Sequence, residues 1–328
     1  MIQSISRVSL TLIATCLGVA AVAPAAAAQS DRHTFAHDGE ERRYFITVPD
    51  RLVAPPEGVP LVLVLHGAGG NAPNMMAMTR FDEKAEEEGF IAVFPEGTPR
   101  DLVAGDTLLL AWNAGHCCGY SMRRGTDDIG FLSTLISELT STYPIDPTRI
   151  YVAGMSNGGM MAHRLAIALS DRIAAIGTVV GAMFGDEAEP TSPVSAIILN
   201  AALDEMIPLE GGELGARVFR NAWDGTPLEP SEYQGTYWAS VNGCETKPSF
   251  VERKPLYTMS AYECPDGVDV RYYVVEDNAH AWPGDTRITP IGRDATDDFS
   301  ATDEIWDFFA QHQLVPLPHE TKPEPALE

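Results

Sequence analysis

Runs of branched and aromatic apolar residues recur along the chain and alternate with helical patterns. Six runs have the length of buried strands, at 61–65, 91–94, 150–153, 173–180, 196–199 and 270–275. A continuous apolar run of this kind is typical of a strand covered on both faces, as in a parallel sheet. Helical patterns lie between or after them, at 75–88, 130–142, 158–169 and 302–312. The alternation predicts one α/β domain with a doubly wound, mostly parallel sheet.

Three stretches depart from this alternation. Residues 33–48 alternate in polarity around Asp38-Gly39, which predicts a β-hairpin. The stretch 208–262 is rich in Gly, Pro and aromatic residues, and it predicts a small cap-like insertion over the sheet. Residues 316–328 are Pro-rich and acidic, so we expect a disordered tail there.

The first 28 residues have the pattern of a secretory signal peptide. Arg7 precedes an apolar stretch, and Pro24 leads into four alanines that offer A-x-A cleavage sites. Cleavage near Ala28 would leave a folded domain at 29–315 in a secreted or periplasmic protein, with no membrane contact thereafter. A retained anchor is disfavoured because the apolar run is short, and lipoprotein anchoring through Cys16 is a minor alternative.

The composition is that of a folded but strongly acidic protein. Of 328 residues, 45% are hydrophobic and 21% are charged, near the averages of globular domains. The chain has 46 Asp and Glu against 22 Lys and Arg, a net charge of -24. Nucleic acid and anionic lipid are therefore not expected as partners.

Four of the five cysteines remain after the expected cleavage, in a compartment where disulfides persist. Cys244 and Cys264 flank one segment of the predicted insertion, and we favour a disulfide between them. Cys117 and Cys118 then form either a vicinal pair or two thiols. A metal site is disfavoured because CxxC spacing is absent.

Residues 154–158 read Gly-Met-Ser-Asn-Gly and match the G-x-S-x-G nucleophile elbow. A strand pattern precedes the motif and a helical pattern follows it, a setting in which small neighbours leave the serine hydroxyl exposed. Ser156 is therefore the predicted nucleophile. A serine needs a histidine base, and usually a carboxylate that orients this base.

The base and the acid are predicted from their places after strands. His280 follows the last predicted strand, whose loop should reach the elbow, and it is favoured among eight histidines. Asp204 follows the strand pattern at 196–199, with Glu205 and Asp186 as rivals. The resulting order Ser, Asp, His is the one found in α/β-hydrolases.

Attack by a serine also requires two backbone donors for the developing oxyanion. We predict the N–H groups of Asn157, directly after the serine, and of Ala68, in the glycine-rich stretch 65–70. A phosphate-binding loop at 65–70 is disfavoured because no Gly-Lys-Ser/Thr follows. Asp127 and Asp128 precede a predicted helix and are expected to cap it.

Five motifs occur in order along the chain: LHGAGG at Leu65, WNAGHCCG at Trp112, DDIGF at Asp127, RIYVAGMSNGGMMAHRLA at Arg149 and HAWPG at His280. Together they resemble the esterase family of secreted polyhydroxybutyrate depolymerase-like and feruloyl esterase-like proteins, within the α/β-hydrolase superfamily. The resemblance implies a secreted serine esterase. It also implies Ser156 as nucleophile, His280 as base and Asp204 as acid, although two alanines and a leucine precede Asp204 where the family has a small residue and a glycine.

The resemblance implies an ester substrate and no need for a metal or an organic cofactor. Feruloyl or acetyl esters of polysaccharide and hydroxyalkanoate oligomers all remain open as substrates. Trp112 and Trp282 are expected near the mouth of the site, either as substrate contacts or as core packing. The alternatives are an acyltransferase or peptidase on the same three residues, and a non-catalytic polymer- or carbohydrate-binding protein on the same scaffold.

Overall fold

The computed structural model describes residues 31–99, 109–215, 222–285 and 295–315. The predicted signal peptide and the predicted tail lie outside these ranges. The strands are β1 Asp31–His37, β2 Glu40–Thr47, β3 Val59–Leu65, β4 Ile91–Pro95, β5 Ile145–Met155, β6 Ala175–Val179, β7 Ser195–Ala201, β8 Phe250–Arg253, β9 Tyr257–Ala261 and β10 Val270–Val275. The helices are α1 Ala72–Thr79, α2 Phe81–Glu88, α3 Gly119–Arg124, α4 Asp128–Thr142, α5 Asn157–Ala168, α6 Tyr233–Val241 and α7 Ala301–Phe309.

The ten strands form a single sheet in the order β1-β2-β4-β3-β5-β6-β7-β10-β9-β8. The six strands from β4 to β10 in this order are parallel, and antiparallel strands flank them at both edges. Strands β3, β4, β6 and β7 are buried along their whole length. This confirms the doubly wound α/β sheet predicted from the apolar runs.

Successive residues of β3 enter two separate cores, because side chains of a strand alternate between its faces. Leu61, Leu63 and Leu65 pack with apolar residues of α4, α5 and α6 on one face. Val62 and Val64 pack with residues of α1, α2 and α7 on the other. Of the part of the chain that is described, no helix is long and apolar enough to cross a bilayer.

The hairpin prediction is confirmed, and one predicted helix is divided in two. Strands β1 and β2 pair around Asp38 and Gly39, whose φ angles of 51° and 77° suit a two-residue turn. The helix expected at 75–88 is divided into α1 and α2, because Arg80 adopts a left-handed conformation with a φ of 53°.

The predicted insertion at 208–262 is smaller than expected. Its last part forms β8 and β9, which extend the sheet, and α6 packs against β7 and β10. Strands β8 and β9 are exposed or half-buried along their length. Their sequences therefore lack the continuous apolar run that marks the central strands.

A buried ion pair ties strand β2 to the first residue of α4. The guanidinium of Arg42 donates to Oδ1 of Asp128 at 2.7 Å, and the two side chains are 4% and 0% exposed. Oδ2 of Asp128 accepts the N–H of Asn113 at 2.7 Å and the hydroxyl of Ser121 at 3.0 Å. Asp127 instead accepts a backbone N–H as the N-cap of α4, so the expected capping role applies to Asp127 alone.

We expect Asp128→Ala to lower the free energy of unfolding by about 3 kcal/mol or more, because it leaves the Arg42 charge buried without its partner. Asp127→Ala is the matched control and should cost about 1 kcal/mol through loss of the cap. Denaturant unfolding followed by circular dichroism measures both values. Equal losses in the two variants would contradict this account of Asp128.

Candidate active site

Ser156 occupies the turn between β5 and α5. Its backbone has φ 55° and ψ -123°, a conformation unfavourable for a residue with a side chain. Two glycines allow the close packing around it. A Cβ on Gly154 would collide with the backbone of Gly158, and a Cβ on Gly158 would collide with the carbonyl oxygen of Leu65. The Ser156 N–H donates to the carbonyl of Val179 at 2.9 Å, which ties the turn to β6.

The structure brings Ser156, His280 and Asp204 into one line of hydrogen bonds. The Nε2 atom of His280 lies 2.9 Å from Oγ of Ser156, and its Nδ1 lies 2.8 Å from Oδ2 of Asp204. The Asp204 side chain is fully buried, and that of His280 is 10% exposed. Because an ionised carboxylate only accepts, Nδ1 carries the ring proton and Nε2 is left to accept from the serine hydroxyl.

The remaining oxygen of Asp204 is also occupied. Oδ1 accepts the backbone N–H groups of Met206 at 2.8 Å and Ile207 at 2.9 Å. Of the rival acids, Glu205 is exposed. The other, Asp186, lies 2.9 Å from Nε2 of His116.

The two predicted oxyanion donors flank the serine. Ala68 lines the same pocket as Ser156 and His280. Asn157 begins α5, and its side-chain amide is bound on both sides to the backbone of Trp112: Oδ1 accepts the N–H at 2.8 Å and Nδ2 donates to the carbonyl at 3.1 Å. The loop at Trp112 therefore fixes the first residue of the helix that follows Ser156.

Two histidines near the site are buried and neutral. Nε2 of His66 accepts the N–H of Gly97 at 3.0 Å, so Nδ1 donates to the carbonyl of Gly67 at 2.8 Å. In His163, Nδ1 accepts from the Trp238 indole at 2.9 Å, so Nε2 donates to the side-chain carbonyl of Gln234, 2.8 Å away. Burial lowers the pKa of both rings from 6.5 to about 4.

Trp112 and Trp282 are packed in the interior, so the predicted substrate contact is wrong for both. They are 0% and 1% exposed. The indole N–H of Trp112 donates to the carbonyl of His66 at 2.9 Å, and that of Trp282 donates to Oγ1 of Thr302 at 3.0 Å. Each ring satisfies its donor in the core, and neither is among the residues that line the pocket over Ser156.

The pocket over Ser156 is small and apolar, with a volume of about 20 Å³. Apart from Ser156 and His280, its lining residues are Ala68, Cys117, Cys118, Met160, Met206, Ile207 and Leu214. Sequence reasoning missed the last three because they lie beyond Asp204 in a stretch without periodicity. The closeness of Met206 to the predicted acid was the one available signal.

Both cysteine pairs are joined as disulfides in the structure. Cys244 pairs with Cys264, and Cys117 pairs with its neighbour Cys118 in the wall of the Ser156 pocket. In the described ranges, no cluster of three or more metal-ligating side chains is present.

The sheet order, the elbow and the helices on both faces define an α/β-hydrolase fold, and solved structures agree. The acetyl xylan esterase from Aspergillus awamori superposes with a TM-score of 0.57, covering 86% of this chain and 99% of that one at 16% identity. A thermostable esterase superposes with a TM-score of 0.52 at 17% identity, covering 87% of this chain and 63% of that one. At these identities the likeness concerns the fold alone.

Sequence comparison identifies the family of esterases that this chain resembles. Residues 44–206 match the family model described as Esterase PHB depolymerase. Feruloyl esterase B of Piromyces equi is 27% identical over 233 residues, which are 69% of this chain and 40% of that protein. Feruloyl esterase B of Neurospora crassa is 32% identical over 124 residues, 38% of each chain. The matches confirm the resemblance to polyhydroxybutyrate depolymerases and feruloyl esterases, and this chain spans well under half the length of these two relatives.

The buried histidines lead to a pH prediction. The pKa of each ring is near 4 in the folded protein and near 6.5 in the unfolded chain. The contribution of each neutral ring to the stability of the folded protein is therefore fully present above pH 6.5 and is lost as the pH falls towards 4. At pH 5 we expect long-range ¹H–¹⁵N NMR spectra to show neutral rings, with the proton on Nδ1 of His66 and on Nε2 of His163. A charged ring at either position would contradict the assignment.

His116 is the internal control for this titration. Burial lowers its pKa, but hydrogen bonds to Asp224 and Asp186 outweigh the burial and raise it. Its ring should therefore be charged at pH 5 in the same spectra.

Proposed function

We propose that this protein is a serine carboxylic ester hydrolase, with Ser156 as nucleophile, His280 as general base and Asp204 as the group that orients the base. The observation that carries the proposal is the unbroken line of hydrogen bonds from Asp204 through His280 to Ser156. This line ends at a nucleophile elbow within a chain that resembles esterases. Neither the residue roles nor the substrate follows from the fold alone.

The proposed reaction has two halves. In the first, Oγ of Ser156 attacks the ester carbonyl while Nε2 of His280 takes the hydroxyl proton, and this proton then passes to the departing alcohol. In the second, water loses a proton to Nε2 and attacks the acyl-serine, which releases the acid and restores the serine. Asp204 accepts from Nδ1 throughout and stabilises the charged ring.

The negative oxygen that forms in each half is assigned to the N–H groups of Asn157 and Ala68. The Ala68 residue lies in a loop that is held by the buried ring of His66. The Asn157 residue is held by the backbone of Trp112. Rigid donors of this kind need little reorganisation during attack, which is the source of their effect on rate.

The proposed substrate is an ester linked to carbohydrate or part of a polyester. Relatives named as feruloyl esterases support the first option, and the family model named for PHB depolymerase supports the second. We also propose that the enzyme works outside the cytoplasm, which the Cys244–Cys264 disulfide supports because disulfides persist in oxidising compartments.

We expect Ser156→Ala to lower kcat/KM for p-nitrophenyl acetate at least about 10⁴-fold, and Asp204→Asn to lower it by about 10⁴-fold because the base loses its correct tautomer. Glu205→Gln is the matched control, since Glu205 adjoins Asp204 but is exposed. Release of p-nitrophenol measures all three. Turnover by Ser156→Ala at the parent rate would remove the proposed nucleophile.

A separate experiment tests the oxyanion donor in the glycine-rich loop. Ala68→Pro removes one backbone N–H, and we expect kcat to fall by about 10²- to 10³-fold with little change in KM. Ala68→Gly keeps the N–H and should lose far less. If the proline and glycine variants have the same kcat, Ala68 does not supply the donor.

A further inference from the structure

Asn278 lies in the loop that follows β10, two residues before the proposed base. It is 0% exposed, and it is not among the residues that line the pocket over Ser156. A buried side-chain amide must satisfy two N–H donors and one carbonyl oxygen, so its partners show what it holds in place. The partners of Asn278 among the described residues are backbone groups.

The donors of this amide bind the residues on either side of His280. Nδ2 of Asn278 donates to the carbonyl of Ala279 at 2.9 Å and to the carbonyl of Ala281 at 2.9 Å. The N–H of Ala281 donates to the same carbonyl of Ala279 at 2.8 Å, which makes His280 the central residue of a three-residue turn. One backbone hydrogen bond closes this turn, and the Asn278 amide adds a bond to the residue before the base and to the residue after it.

Asn278 also binds the two segments that adjoin the loop of His280. Its Oδ1 atom accepts the N–H of Thr296 at 3.1 Å. Its backbone carbonyl accepts the N–H of Leu203, one residue before Asp204, at 3.0 Å. The same residue therefore holds both the turn that carries the proposed base and the loop that carries the proposed acid.

The direction of the His280 ring must satisfy two partners at once. Its Nδ1 lies 2.8 Å from Asp204, and its Nε2 lies 2.9 Å from Ser156. The ring is joined to the backbone by one chain of bonds, so a shift of the turn moves both nitrogens together. A misplacement of about 1 Å at a reacting group is enough to lower a rate about 10²-fold.

We propose that Asn278 is a positioning residue of this site, and that its buried amide fixes the turn at His280 and so holds the ring between Asp204 and Ser156. This inference rests on the proposed ester hydrolase, to which it adds a residue outside the pocket over Ser156. Because Asn278 acts through the base, its substitution should slow the chemical step and leave substrate binding unchanged.

Asn242, the C-cap of α6, is the matched control. It is 4% exposed, and its side chain also binds the backbone twice. Oδ1 accepts the N–H of Val194 at 3.0 Å, and Nδ2 donates to the carbonyl of Val194 at 2.7 Å. Substitution of either asparagine breaks buried hydrogen bonds to the backbone. If Asn278 had a structural role alone, its variants and those of Asn242 would behave alike.

The experiment measures hydrolysis of p-nitrophenyl acetate by the parent and by Asn278→Ala, Asn278→Asp, Asn242→Ala and Asn242→Asp. The aspartate variants keep the size of the side chain and an acceptor oxygen, but they lose the amide donors. Circular dichroism establishes whether each variant is folded at the assay temperature. We expect both Asn278 variants to lower kcat about 10²-fold, with KM within about twofold of the parent, and both Asn242 variants to keep the parent kcat.

A spectroscopic measurement reports on the base without turnover. The Nδ1 proton of His280 lies in a hydrogen bond to a carboxylate, and such a proton resonates far downfield in ¹H NMR spectra. Its absence from the spectrum of His280→Gln assigns the signal. We expect this resonance to move upfield or to disappear in both Asn278 variants, and to remain unchanged in both Asn242 variants.

The inference is overturned if the Asn278 variants match the Asn242 variants in kcat, if they change KM alone, or if their downfield resonance equals that of the parent. It is also overturned if both Asn278 variants fail to fold where both Asn242 variants fold, because Asn278 is then a determinant of folding.

The positioning role and the proposed hydrolase fail separately. Turnover by Ser156→Ala at the parent rate would remove the hydrolase. The downfield resonance of His280 would still show, in that case, whether Asn278 positions the ring against Asp204.

Discussion

The backbone of Ser156 has a φ of 55° only because β3, β5, β6 and α5 meet around it at very short distances. A residue held in such a conformation costs about 1–3 kcal/mol, which surrounding packing must offset. The glycines at 154 and 158 permit the approach, and the bond from the Ser156 N–H to Val179 completes it. The turn places the serine hydroxyl at the carboxyl edge of the sheet, so the other parts of the site must come from loops that reach the same edge.

The parallel arrangement meets that condition. Strands β7 and β10 are neighbours, with Ala201 paired to Val275, and Asp204 and His280 follow these strand ends by three and five residues. Bonds between the two loops, from the Leu203 N–H to Asn278 and from the Ala202 N–H to Val275, hold them side by side. The carboxylate of Asp204 and the imidazole of His280 are 76 positions apart in the sequence, and they lie 2.8 Å apart because the two loops are held side by side.

The central strands were predictable because burial on both faces leaves a continuous apolar run. The half-exposed β8 and β9 leave no such run, and so their residues were expected in a cap. The serine, its base and its acid were expected together because each follows a strand pattern, and the structure places them within hydrogen-bonding distance. The burial of Trp112 and Trp282 could not be predicted from the sequence. A motif gives the position of a residue along the chain, but it does not give the direction of the side chain.

The proposed mechanism requires Ser156 to carry the acyl group between the two halves of the reaction. The most direct test is mass spectrometry of the protein quenched with acid during turnover of p-nitrophenyl acetate, followed by peptide mapping. We predict one acetyl group per chain, on Ser156, and none on the Ser156→Ala variant. An acetyl group on another residue, or turnover with no acylated intermediate under conditions where deacylation limits the rate, would contradict the account.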